Sequence, residues 1–269
     1  MSDTLSKIKS YLKKRQLVKH SLFLFFLGGA LKVFSLIREI VVANYYGTSI
    51  FKDGFVALIA LFSIFYAPLM ETVIIAIPKY LKEKQQSQFI VFFLVVMVSI
   101  SIILSSILFF LSPYLISLIY ANLDVASIKV IQTYLIYGLV FVNLQLVIQL
   151  LSQFFYAKNA YWNAELKSFI LSIIIIGFVI FDWQFLAVDP LIMGHVVGVI
   201  IVTLVMFIQL IRKKLLFLNQ LNNWNRTKLK LWGQWLLHHL IPIFFVFSLS
   251  TGFEINSKRI IPISPKQSL

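Results

Sequence analysis

Cysteine is absent from the chain. Disulfides and thiolate metal sites are therefore excluded, and the four histidines (His20, His195, His238, His239) show no HExxH or comparable ligand spacing. Acidic residues are scarce, 10 against 24 Lys plus Arg, and no clustered acidic pair such as DDxxD occurs. A metal-assisted membrane enzyme built on such a pair is disfavoured on that ground, and the chain reads as no enzyme. Charged residues are only 13% of the total, whereas 60% are hydrophobic and mean hydropathy is +0.91. A soluble domain cannot bury so large an apolar share, so the composition implies an all-α, polytopic membrane helix bundle. The net charge of +14 does not point to nucleic acid, because the basic residues cluster between apolar runs instead of forming one face.

A membrane-spanning helix needs about 20 largely apolar residues. Seven segments qualify, near Ser21–Ala43, Gly54–Ile77, Phe89–Leu111, Val130–Phe155, Ala164–Phe181, Pro190–Ile211 and Leu236–Phe253. The organisation expected is a basic arm over 1–20, a six-helix lobe over 21–212, and an interfacial amphipathic segment over 213–235. A seventh span over 236–253 and a polar tail over 254–269 complete it. No small-residue cleavage pattern follows the basic N-terminus, so the arm is read as retained. Lys and Arg concentrate in alternate connections: 7–19, 79–84, 158–167 and 212–230 on one side, against Lys52 and Lys129 on the other. That asymmetry predicts a cytoplasmic N-terminus, and the tail with Lys258, Arg259 and Lys266 is the one exception. Three tryptophans (Trp224, Trp232, Trp235) among basic residues predict a helix lying in the membrane interface.

The stretch "SLFLFFLGGALKVFSLIREIVVANYYG" places charge where charge is expensive. At about 100° per residue, Gly28, Lys32, Ser35, Glu39, Ala43 and Tyr46 share one face of the first helix. A central lysine costs at least ~2.5 kcal/mol on insertion scales, so this face is expected toward other helices or a watery cavity. Arg38 lies roughly 120° round from Lys32 and about 9 Å along the axis. Two such cations could meet a large anion from two directions. The bland alternative has Arg38 reaching the interface and Lys32 paired with Glu71 or Glu39.

In the second helix Ser63, Ala67 and Glu71 share a face and Pro68 precedes the carboxylate, which is read either as a counter-ion or as a proton carrier. Gln145 and Gln149 lie on a polar stripe of the fourth helix and are read as cavity wall, with interhelical hydrogen bonding the equal alternative. Gly194 and Gly198 form a GxxxG in the sixth helix, for which close packing is expected, with His195 packed and hydrogen-bonded between them.

The run "LKVFSLIREIVVANYYGTSIFKDGFVALIALFSIFYAPLMETVIIAIPKYL" resembles the first two helices of the MurJ/MviN family. These are lipid II flippases within the multidrug/oligosaccharidyl-lipid/polysaccharide exporter superfamily. The matching residues are Lys32, Arg38, Glu39, Ala43, Gly47, Ser49, Asp53, Phe55, Ala57, Glu71 and Pro78. Weaker likeness continues through "LSPYLISLIYANLD", "QLLSQFFYAKNAYWNAELKSFILSII" and "IMGHVVGVIIVTLVMFIQLIRK".

The resemblance implies a six-helix lobe facing a second lobe across a cation-lined cavity that opens alternately to each membrane face. Lys32, Arg38, Glu39 and Glu71 would meet an undecaprenyl-pyrophosphate-linked sugar in a bacterial plasma membrane, with Ser35, Tyr66, Gln145 and Gln149 along the cavity wall. No cofactor is implied; coupling to protons, sodium or membrane potential stays open. Tyr66 stands near the place of a family arginine, and the chain matches about the first half of full-length members. A partner lobe or self-association would then be required. A capsular or O-antigen exporter and a non-transporting membrane scaffold are the alternative readings.

Overall fold

A computed structural model describes residues 2–47, 49–83, 86–119, 125–182, 188–213 and 227–242, with side chains from residue 22 except 23, 24, 119 and 127. The elements are α1 (Ser2–Tyr46), α2 (Ile50–Lys82), α3 (Gln86–Ile119), α4 (Val125–Thr133), α5 (Leu135–Ala157), α6 (Tyr161–Ile180), α7 (Pro190–Arg212) and α8 (residues 227–242). Of these, α2, α3, α5, α6 and α7 are long and apolar enough to cross a membrane. The chain is thus an all-α, multi-pass membrane bundle.

Local chemistry explains where the helices begin and end. At 45 residues and ~1.5 Å each, α1 is about 68 Å long, twice a hydrocarbon core, so the expected basic arm and first span are one continuous helix. It stops at Gly47, whose φ of 50° is the left-handed cap conformation and whose N–H donates to the Ala43 carbonyl at 2.8 Å. Ser49 then caps α2 by accepting from the Phe51 N–H at 3.3 Å, with Asp53 in the first turn and Lys79 and Lys82 in the last. Asp189 accepts from the Leu191 N–H at 2.9 Å and Pro190 opens α7. Burial raises the Asp189 carboxyl above its usual range, and the phenol of Tyr46, hydrogen-bonded to it, is raised too, first by desolvation.

Two expected elements are drawn differently. The fourth span breaks at Tyr134 (φ −95°, ψ 8°) into α4 and α5, although the Tyr134 and Gly138 N–H groups still donate to Val130 and Tyr134 carbonyls. In α8 the expected boundary at 235/236 vanishes, because one helix runs through it. Trp232 is buried there, its ring against Phe89 and its Nε1–H donating to Glu83 Oε1 at 3.1 Å. Residues 214–226, including Trp224, and 243–269 lie outside the described residues.

The main core gathers α2, α3, α5 and α7, with Phe55, Leu58, Phe62, Tyr66, Phe154 and Phe155 almost wholly buried. Gly138 lets α5 approach α2 closely: a Cβ there would stand 2.6 Å from Leu58 Cδ2. The α6–α7 seam depends on the GxxxG pair, since a Cβ on Gly194 would meet the Ile175 Cα at 3.2 Å and one on Gly198 would meet Leu171 Cδ1 at 2.6 Å. His195 bonds through Nδ1 to the Leu191 carbonyl at 2.8 Å and stands edge-on to Phe55 and Phe141, the packed histidine expected.

A candidate polar layer within the membrane helices

Helix α1 lies along α6. Its packed seam runs through Leu31, Ser35, Arg38, Val42 and Tyr46, while Lys32 and Glu39 stand beside that seam and are exposed. Arg38 turns its guanidinium onto Glu39, with Nη2 to Oε1 at 2.6 Å, and thus its charge is answered by the next residue. Glu39 is consumed by that pair. Glu71 lies on the exposed face of α2, and neither it nor Lys32 has an ion pair among the described residues. The bland pairing of Lys32 with Glu39 or Glu71 is not what the fold makes: Glu39 is taken by Arg38, and Glu71 is on α2, which packs on α5 while α1 packs on α6.

Contacts fix the relative depth of these residues. Phe34 stands edge-on to Phe169 at 4.8 Å, and Val42 packs with Ile175 and Val179, so α1 and α6 run the same way and Lys32 is level with Lys167. Lys167 Nζ donates to Gln149 Oε1 at 3.3 Å, which ties α6 to α5 at that level. Gly138 meets Phe62 and Phe154 meets Tyr80, so Glu71, midway along α2 between Phe62 and Tyr80, lies level with Leu146 on α5. Lys32, Glu71, Gln145, Gln149 and Lys167 therefore form one polar layer across four helices.

A pocket opens within this layer. Gln145, Ile148 and Gln149 of α5 and Lys167, Ser168 and Leu171 of α6 line it, with Met70 of α2 and Val202 of α7 closing its ends. Its volume of ≈ 130 Å³ is below the ~300 Å³ at which small-molecule sites begin, so it suits a small polar group.

Tyr66 does not reach this pocket. Its hydroxyl is buried between α2 and α3, donating to the Ser101 carbonyl at 3.1 Å and sharing a 2.5 Å hydrogen bond with Ser105 Oγ. Asn143 completes that network by donating to Ser105 Oγ and binding Ser101, which makes these groups interhelical connectors. Lys167 is the residue that sequence reasoning passed over, since it was counted only as a loop charge. Its place six residues inside α6 carries the same signal that singled out Lys32.

No family model, curated protein or solved structure matches this chain.

Proposed function

We propose that the chain moves lipid-linked sugars, Lys32 meeting the pyrophosphate of an undecaprenyl-type carrier while the lipid tail stays in the bilayer. The observation that carries this reading is Lys32 itself, an exposed lysine within the apolar stretch 21–37 of α1, with no ion pair among the described residues. Such a charge is expensive in lipid, and an anionic head group offsets the cost. The sequence resemblance supplies the substrate class. Arg38, held by Glu39, acts beside Lys32 as the more strongly positioned cation, and Glu71 is available as a proton carrier across the layer. No covalent step is needed, because translocation requires only that the polar head be shielded. A second lobe, from a partner or another copy, would close the open side of the pathway.

One observation favours the capsular or O-antigen branch as a second reading. The second-helix residue near the family arginine is Tyr66, which is tied to α3, and α2 thus contributes no cation to the layer.

Purified chain reconstituted into vesicles with a fluorescent undecaprenyl-pyrophosphate sugar tests the function. Faster loss of probe from one leaflet than in protein-free vesicles is expected; equal rates with the chain correctly inserted would remove the reading.

The membrane is proposed to be a bacterial plasma membrane with the N-terminus cytoplasmic. Cysteines placed at exposed Asp53 and exposed Asn159 report this orientation. In intact cells an impermeant thiol reagent is expected to label Asp53→Cys and to spare Asn159→Cys; the reverse pattern would invert the topology.

A further inference from the structure

The pocket within the layer holds a cation whose partners do not match its charge. Lys167 has three N–H donors, and the bond shown for it goes to the neutral amide oxygen of Gln149 at 3.3 Å. The nearest carboxylate in sequence, Glu165, accepts the hydroxyl of Tyr156 instead, and no ion pair engages Lys167 among the described residues. Placing a lysine ammonium among apolar helices with Glu165 nearby but no carboxylate in ion-pair contact is costly, and an arriving anion offsets that cost.

The pocket is suited to such an anion. Gln145, Gln149 and Ser168 surround Lys167 with amide and hydroxyl donors, and Met70, Ile148 and Leu171 dry the walls. A volume of ≈ 130 Å³ has room for several waters, each of which needs at least about 10–15 Å³ on this measure, and so for one phosphate group. A compact point charge among neutral donors is the pattern that holds a tetrahedral oxyanion without bidentate geometry.

We propose that this pocket is a phosphate subsite: Lys167, with Gln149 and Ser168, takes a phosphate group that enters at the depth of Lys32. This rests on the translocation reading above for the origin of the phosphate, but the binding event can be measured without transport. The phosphate could belong to a prenyl pyrophosphate or be free in solution, and the two sources share the chemistry read here.

The test uses the full chain in phosphatidylcholine nanodiscs, titrated separately with farnesyl pyrophosphate and with inorganic pyrophosphate. Lys167→Met keeps the length of the side chain and removes its charge, Lys167→Arg restores a cation, and Gln149→Leu removes the acceptor with no change of charge. Elution and thermal unfolding confirm that each variant is folded. Lys167→Met is expected to weaken binding of the probe at least about tenfold, with Lys167→Arg within about threefold of the parent. Binding of both probes supports recognition of the phosphate alone; binding of the prenyl compound only supports a lipid source. Unchanged affinity in Lys167→Met, or no binding of either probe by the parent chain, overturns the subsite. If Lys167→Met loses binding while the parent chain moves no lipid-linked sugar, the subsite stands and the transport reading falls. If Lys167→Met binds the probes as the parent does and transports at the parent rate, the transport reading stands and the subsite falls.

Discussion

Lys32→Ala is expected to slow translocation of an undecaprenyl-pyrophosphate sugar at least about tenfold while leaving the amount of folded, inserted protein unchanged or raised. A hydrogen bond to a charged group contributes about 1.5–3 kcal/mol, which corresponds to a factor of ten or more in rate if it is made to the moving head group. Stability should not suffer, because Lys32 is exposed and makes no described contact that alanine would lose, and removing it lightens the ~2.5 kcal/mol insertion cost. Arg38→Ala is expected to behave differently. It strands Glu39, now paired at 2.6 Å, as an unanswered carboxylate beside α6, and should lower the yield of inserted protein as well as the rate. Measuring rate and inserted yield in the same vesicle preparations separates the two outcomes. A Lys32→Ala protein that transports at the parent rate would remove the anion site from α1.

Gly194→Leu is expected to cost about 3 kcal/mol or more. Even a Cβ at this position would lie 3.1 Å from Phe178 Cβ and 3.2 Å from the Ile175 Cα, and a backbone atom cannot turn aside as a leucine methyl can. Overpacking of this kind costs typically 1–3 kcal/mol where side chains can adjust, and here α6 must move bodily from α7. The natural control is Gly177→Ala on α6, where nothing lies within 4 Å and the change removes a flexible residue from a helix interior. Thermal unfolding in detergent should show a large fall for Gly194→Leu and an unchanged or slightly higher midpoint for Gly177→Ala. Equal midpoints would mean that the α6–α7 seam is looser than its geometry.

These cases also show which parts of the molecule were legible in the sequence. Run length made five of the seven expected spans legible, as α2, α3, α5, α6 and α7, because about twenty apolar residues leave few other solutions in a membrane. Helix α1 is not among the described helices apolar enough to cross, and most of the expected seventh span lies outside the described residues. Gly194 and Gly198 were readable as a packing face from spacing alone, and His195 as a packed residue from its position between them. The pairing of α1 with α6 was not readable, since apolar faces in lipid carry little information about which neighbour they choose. Hence Glu39 and Glu71 both remained candidate partners for Lys32 until the seam through Leu31, Ser35, Arg38 and Val42 was seen. The break at Tyr134 escaped because the residues around it read as one apolar run. Tyr66 illustrates the converse: as a departure from a family pattern it suggested a cavity wall, yet its hydroxyl is held by Ser101 and Ser105 on α3. Lys167 was hidden by proximity to Lys158, which made it look like part of a charged loop.

The placement of α2 against α5 has a consequence in time. The face of α2 that carries Phe55, Leu58 and Phe62 is closed by α5, whose last residue, Ala157, follows Lys82 by about 75 residues. At about 5–20 residues per second, a ribosome needs roughly 4–15 seconds to supply that cover. During this interval the apolar rings can rest in lipid at little cost, but the hydroxyl of Tyr66 cannot. Its partners Ser101 and Ser105 lie only 35 and 39 positions along the chain, and so the hydroxyl is satisfied by α3 well before α5 has been made. The order of synthesis thus delivers this polar contact first and the apolar one last, so that the Tyr66 hydroxyl is not left facing the bilayer while α5 is being made.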